Sequence, residues 1–337
     1  MARVLVVNDD GIDAPGLHAI VAALATLDGV AVYVAAPTSE RSATGHGITI
    51  HAPLVAVPVR VQHAQESYAI TGLPADCTML ALGPLFAHLQ SSSLPGPAFD
   101  LVVSGINRGN NYGLHVVYSG TVAAAREAAA ACVPAVALSL NAYTADADYT
   151  HAAAAALPII RRMLCRLGAA GAGDSCAALL GSVVNVNVPA CPLAQMRGYV
   201  YSRQSYETTL PSFEEVAVPD AQPESALGAP RAWRNGTTYV GRLDREPGTD
   251  SAAVADGFVA VSLVRLLSDA APVGGQTQVL PAQPPPPAPD ATGFTDAAAD
   301  YVLGIAAAAA QAAAGANSVA SKLRPPLAAP AETTSSL

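Results

Sequence analysis

The chain has one lysine, Lys322, one tryptophan, and little charge of any kind: 13% of its 337 residues are Asp, Glu, Lys or Arg, and the net charge at pH 7 is −9. So few positive groups exclude a general affinity for a nucleic-acid backbone. The single lysine lies outside any Gly-rich turn, which excludes a P-loop, and there is no G-x-S-x-G elbow and no G-x-G-x-x-G after the first strand. The five cysteines, Cys77, Cys132, Cys165, Cys176 and Cys191, form no C-x-x-C pair and sit mostly among apolar residues. They are expected to be reduced core residues rather than disulfides or zinc ligands. Although 51% of the chain is apolar, its longest apolar runs are Ala-rich and broken by Gly, Pro or polar residues, so none reads as a membrane span. The first strand begins almost at Met1, without room for a signal or transit peptide, and a cytoplasmic location is expected.

What is there is organised around Arg3 to Gly16, R-V-L-V-V-N-D-D-G-I-D-A-P-G. Val4 to Val7 is a continuous apolar run, as expected of a strand covered on both faces, and it breaks abruptly into Asn8-Asp9-Asp10-Gly11. Asp13 and Pro15 suit the cap and first turn of a helix whose apolar positions are Leu17, Ile20, Val21 and Leu24. In an open parallel sheet, ligands lie just beyond the carboxyl ends of strands. Two adjacent carboxylates there would repel an anion unless a hard divalent cation came between them. The competing reading is an Asx turn made by Asn8 and Asp10 ahead of a helix.

Gly29 to Ala36 predicts a second strand, and the loop Pro37 to Gly47 would leave the same sheet edge if the two strands are parallel, with its hydroxyls in reach of the same ion. As an isolated segment it equally reads as an ordinary loop. Ile48 to Val61 and Tyr68 to Thr71 alternate like short strands, with Pro53 and Pro58 at edges or bends. Gly72-Leu73-Pro74-Ala75-Asp76-Cys77 opens a helix with Asp76 as a first-turn carboxylate. Phe99 to Ser104 predicts a strand running into a turn, Ser104 to Gly113, with three asparagines and three glycines. Tyr118-Ser119-Gly120-Thr121 starts a helix over Val122 to Cys132, capped by Ser119 or Thr121, whose free N–H groups could receive a phosphate or simply begin a helix. A strand at Pro134 to Leu140, a helix at Ala152 to Leu167 and a strand at Leu179 to Val188 follow, the last with Asn185 and Asn187 in alternation.

Residues 1–265 therefore read as one α/β unit, with a core to about 197 and a β-rich extension over 198–265. The extension's strand-like pieces are Tyr199 to Arg203, Arg231 to Leu243 and Gly257 to Leu263, with Gly248-Thr249-Asp250 as a turn. Beyond it lie a Pro-rich linker (266–293), an Ala-rich helix (294–315) and a disordered tail (316–337).

Three loops after three strands offer Asp9 and Asp10, Ser42, and Asn107 with Asn111. All are oxygen donors, which suits Mg²⁺ or Mn²⁺ better than Zn²⁺. A phosphoryl group would complement such a site at the helix start Ser119, Gly120 and Thr121, since its transfer depends on positioning and charge stabilisation.

The segments V-V-N-D-D-G-I-D-A-P-G (6–16), A-P-T-S-E-R-S-A-T (36–44), G-L-P-A-D-C (72–77), S-G-I-N-R-G-N-N (104–111) and V-Y-S-G-T-V-A-A-A-R-E-A (117–128), in this order and spacing, resemble the signatures of the survival protein SurE family. The resemblance continues through N-V-N-V-P (185–189) and 248–261, covering roughly 1–265, with some details closer to plant-type members. It implies a Rossmann-like α/β fold, with a mostly parallel sheet flanked by helices. It further implies a metal-dependent phosphomonoesterase acting on nucleoside 5'- and 3'-monophosphates, and a homodimer or homotetramer formed through the C-terminal extension. It places a divalent ion on Asp9, Asp10, Ser42 and Asn107. Read together with the residues above, one ion per subunit is expected, with Asp9, Asp10 and Asn107 catalytic and Asn111, Ser119, Gly120 and Thr121 on the phosphate. Attack by a metal-activated water and an aspartyl-phosphate through Asp9 both remain open. So does a non-catalytic nucleotide-binding or regulatory module using the same loops. No nucleic-acid or membrane partner is expected. Two departures stand out: Leu73 where members commonly have Thr, and Gly45 where a second serine is usual, which is expected to loosen the loop carrying Ser42.

Overall fold

The computed structural model describes residues 1–90, 97–144, 146–168, 181–218, 230–266 and 303. The Pro-rich linker, the Ala-rich helix and the tail fall outside these, apart from Leu266 and Leu303; Leu303 is buried within the main apolar cluster.

Strand β1 (Ala2–Val7) leads through helix α1 (Pro15–Leu24) to β2 (Val30–Pro37), which pairs with it in parallel, as the strand–helix–strand pattern predicts. The chain continues through β3 (Ala56–Pro58), β4 (Glu66–Ile70) and α2 (Pro74–Leu80). It then passes through β5 (Leu101–Arg108), α3 (Gly120–Ala130), β6 (Ala135–Leu140), α4 (Tyr149–Gly168) and β7 (Ser182–Val188). The extension adds β8 (Tyr199–Tyr201), β9 (Thr208–Val216), β10 (Ala232–Arg242), α5 (Asp250–Ala255) and β11 (Val259–Arg265).

The main sheet has nine strands in the order β3-β4-β2-β1-β5-β6-β7-β11-β8. It is parallel except where β3 meets β4 and β11 meets β7. The period of two along buried strands divides the core into layers. Val4, Val6, Val32, Val34, Leu101 and Val103 face the α1 and α4 side, whereas Leu5, Val7, Ala31, Tyr33 and Val102 face the α2 and α3 side. Few as the aromatics are, Tyr33, Tyr68, Phe86 and Phe99 meet edge-to-face in that second layer at centroid distances of 5.4–5.6 Å.

Four details differ from the sequence expectation. Helix α1 is capped by Ala14 without a side-chain bond, and Asp13 lies exposed one residue before it; Pro15 alone supplies the start signal. Strand β5 does not end at Ser104. It detours at Gly105, at φ +140°, where a Cβ would lie 2.3 Å from the Leu138 carbonyl oxygen, and resumes pairing with β6 at Asn107↔Ser139. Asn107 therefore stands on a strand end, not in a turn. Third, β8 and β11 complete the main sheet, and only β9 with β10, the former without an expected counterpart, forms a separate hairpin. Fourth, Gly248-Thr249-Asp250 opens α5 with Thr249 as its cap.

The start of α1 must press against β5. A Cβ on Gly16 would lie 2.1 Å from the Ile106 carbonyl oxygen, which is backbone and cannot swing aside. Gly16→Ala should therefore lower stability by about 2 kcal/mol, the usual scale of overpacking. Urea unfolding of the two proteins tests this, and a difference below about 0.5 kcal/mol, the scatter of surface changes, would show that the two elements are not in fixed contact.

Candidate active site

Strand order reverses at β1: the chain runs out through β2 and β4 on one side, then returns to β5, β6 and β7 on the other. The crevice beyond the carboxyl ends of β1 and β5 is thus the topological switch point, where open α/β sheets bind ligands. The polar break after Val7 lies there.

Asn8 braces the turn, donating through Nδ2 to the Gly11 carbonyl (2.8 Å) and accepting the Gly11 N–H (3.2 Å). That part of the Asx-turn reading is correct for Asn8. Asp9, only 3% exposed, takes no such role: its Oδ1 accepts the Thr121 hydroxyl at 2.5 Å. Helix α3 comes this close because residue 120 is glycine, where a Cβ would stand 2.8 Å from Asp9 Cβ. Ser119 caps α3, its hydroxyl accepting the Val122 N–H at 3.0 Å. Asp10 accepts the Arg108 backbone N–H at 2.9 Å.

Among the described residues no cationic side chain lies within ion-pair distance of Asp9 or Asp10. The nearby Arg108 guanidinium reaches instead to both carboxylate oxygens of Glu40, at 2.9 and 3.0 Å. Burial, and then the charge of Asp10, push the Asp9 carboxyl from its ordinary 3.8 up to about 7, against the opposing hydrogen bonds from Thr121. That corresponds to about 4 kcal/mol against the ionised form. Burial also raises Asp10.

Ser42 arrives on the loop after β2. The Arg41 N–H donates to the Asp9 carbonyl at 2.7 Å, and the Ser42 hydroxyl donates to Glu40 Oε1 at 2.7 Å. Gly45 is itself tied down. At φ +57°, a conformation that would strain serine, its N–H donates to the Tyr118 carbonyl at 2.9 Å. His46 with Glu127 (2.6 Å), and the Thr49 N–H and hydroxyl on Asp76 (2.9 and 2.7 Å), pin the loop to α3 and α2. Asp76 also accepts the Leu73 N–H at 2.8 Å, as a first-turn carboxylate should.

Asn107 gives its amide hydrogens to the Gly109 and Arg108 carbonyls at 2.9 and 3.3 Å, and among the described residues no donor reaches its Oδ1. Asn111 is buried in a polar web. Its N–H donates to Asn187 Oδ1 (2.7 Å), its Nδ2 donates to the Ser139 hydroxyl (2.9 Å), and its carbonyl accepts from Asn185 (2.8 Å). The alternating asparagines of β7 thus hold the loop after β5. Asp250 does so from the extension, accepting the Gly113, Ser205 and Ser251 N–H groups at 2.9–3.1 Å. Asp250, Ser139 and the Glu40–Arg108 pair did not stand out in the sequence, because each depends on a partner at least 28 residues away.

Among the described residues no three His, Cys, Asp or Glu side chains gather as metal ligands. The crevice holds two carboxylates with neutral oxygens. Two carboxylates without an ion-paired side chain and an all-oxygen donor set fit a hard divalent cation.

A doubly wound α/β fold with polar groups gathered at its switch point defines a class of ligand-binding α/β proteins. Within it, residues 4–209 match the family described as Survival protein SurE, and the chain belongs to that family. It is 39% identical over 271 residues to "5'-nucleotidase SurE 1" of Thermus thermophilus, covering 78% of this chain and 92% of that protein. It is 34% identical over 262 residues to "5'-nucleotidase SurE" of a Synechococcus strain, covering 77% and 90%. The crystal structure of the SurE protein from Aquifex aeolicus superposes with a TM-score of 0.59 at 26% identity, covering 79% of this chain and 94% of that one.

The raised Asp9 carboxyl makes a pH prediction. Because its folded value lies above its unfolded one, its contribution to stability is fully present below 3.8 and is lost as pH rises through about 7. Without metal, the melting temperature should fall from pH 5 to 7.5, and Asp9→Asn should flatten that slope. With Mn²⁺ the gain in melting temperature should grow over the same range, as protons leave the ligands. Parallel apo curves for the two proteins would remove Asp9 as the buried, repelled carboxylate.

Proposed function

We propose that this protein is a divalent-cation-dependent phosphomonoesterase that hydrolyses nucleoside 5'-monophosphates, and 3'-monophosphates, to nucleoside and phosphate. The observation that carries the reading is the Asp9–Asp10 pair held at the switch point with no ion-paired side chain among the described residues, in a chain similar over most of its length to proteins named 5'-nucleotidase.

Asp9, Asp10, Ser42 and Asn107 would hold one Mn²⁺ or Mg²⁺ per subunit. When bound, the ion supplies charge neutralisation at the phosphate and lowers the pKa of water. The chain's own residues supply position. Thr121 fixes one Asp9 oxygen, the Arg108 N–H fixes one Asp10 oxygen, and the Gly109 carbonyl turns the Asn107 amide so that its oxygen is free. Asn111 and the start of α3, Ser119 to Thr121, receive the phosphate, with Thr121 also serving Asp9. Water is the nucleophile rather than Asp9, whose side chain is buried and engaged by Thr121. Asp9, Asp10 and Asn107 are the catalytic residues of this reading.

No described helix is long and apolar enough to cross a membrane. A cytoplasmic location belongs to the same proposal, as does a homodimer or homotetramer built on the β9–β10 hairpin, where Phe213 and Trp233 are 69% and 50% exposed.

Phosphate release from a panel of nucleoside monophosphates should require Mn²⁺ or Mg²⁺ and vanish in EDTA. Asp9→Asn should reduce turnover at least about 100-fold, the scale of losing a principal electrostatic group. Saturating metal, at about 100 times Kd, should stabilise the wild type by roughly 2.7 kcal/mol and the variant far less. Binding of a nucleotide without phosphate release would establish a binding module instead, and an active Asp9→Asn protein with an unchanged metal-induced shift would remove the site.

A further inference from the structure

A serine hydroxyl can offer its lone pairs to a cation only if its hydrogen points to some other acceptor. The acceptor for Ser42 is Glu40 Oε1, at 2.7 Å. The same carboxylate takes the Arg108 guanidinium on both oxygens, and the Arg108 backbone N–H holds Asp10. Glu40 therefore joins the loop after β2 to the end of β5, one residue from Asn107. Both ends of the Glu40–Arg108 pair are partly exposed, so the ion pair adds little to stability. What it fixes is direction.

We propose that Glu40 is a positioning residue for the cation site, orienting the Ser42 hydroxyl so that its oxygen faces Asp9 and Asp10, and holding the serine's loop in register with Asn107 through Arg108. This rests on the cation site described above. Groups that orient metal ligands typically change affinity 10- to 100-fold when removed. Glutamine at position 40 keeps the side-chain length and an acceptor oxygen for Ser42 but loses the two-oxygen grip on Arg108. Alanine loses both.

The test is Mn²⁺ affinity, measured by titration calorimetry on the whole chain in the absence of substrate, beside melting curves in EDTA. Glu40→Ala should weaken Mn²⁺ binding about 10-fold or more while the metal-free melting temperature stays within about 2 °C of wild type. Glu40→Gln should recover part of the affinity. In a Ser42→Ala background the Glu40→Ala change should add less than about threefold, because the group it orients is gone. Wild-type Mn²⁺ affinity in Glu40→Ala would overturn the proposal, as would equal effects of Glu40→Ala with and without Ser42. Asp9→Asn separates this from failure of the site itself. If that variant loses Mn²⁺ while Glu40→Ala keeps it, only the positioning role falls; if Asp9→Asn keeps Mn²⁺, both readings fall together.

Discussion

Two adjacent carboxylates, one buried and neither paired with a side-chain cation, are the constraint around which the rest of this molecule is arranged. Burying unpaired charge is unfavourable, and a fold tolerates it only where surrounding groups hold it in place. Here the holding groups come from three directions: Thr121 from a helix start, the Arg108 N–H from a strand end, and the Asn8 bracket from within the turn itself. None of them is cationic. They orient the carboxylates without neutralising them, which is the arrangement expected where a mobile positive charge completes the site.

Close approach of backbone elements makes this possible, and glycine sets the distances. Gly120 lets α3 abut Asp9, and Gly16 lets α1 abut β5. Gly105 moves β5 off its register so that Asn107 and Arg108 resume pairing beside Ser139 and Leu140 with Asp10 in reach. The polar web of Asn111, Asn185, Asn187 and Ser139 then fixes the loop after β5 from behind, and Asp250 ties it to the extension. The extension is thus a structural part of the crevice wall as well as the carrier of an exposed hairpin.

The elements that were legible in the sequence are those with a local signature. The apolar run before Asp9, the period of α1, and the Ser119 cap reappear within a residue or two of expectation. Asp13 misled because a carboxylate ahead of Pro15 reads as a cap, whereas the chain enters the helix through Ala14. Ser104 misled because Gly105 reads as the start of a turn when it is a detour within a strand. Within the crevice, residue types identified the oxygen donors, but not their partners. Thr121 reads as a phosphate group's neighbour, and only the tertiary approach of α3 shows its hydroxyl on Asp9. Glu40 is only half legible locally: its bond from Ser42 lies two residues away, but Arg108 lies 68 residues on.

Composition and geometry meet in the supply of positive charge. With one lysine, lying outside the described residues, the protein's fixed cations are almost all arginines. Several exposed arginines are engaged by carboxylates: Arg203 by Glu246, Arg231 by Glu215 and Arg234 by Glu214. The guanidinium closest to the crevice, Arg108, is engaged by Glu40. Arg41 sits in the neighbouring loop, where its charge bears on Cys77. A phosphate entering beside Asp9 and Asp10 would add negative charge to a crevice where Arg108, already shared with Glu40, offsets only part of the Asp10 charge. In the proposed reading, the remaining balance comes from a bound cation and from backbone N–H groups at the start of α3. The scarcity of lysine and the engagement of Arg108 by Glu40 therefore have one consequence: neither Asp9 nor Asp10 has a side-chain cation of its own among the described residues.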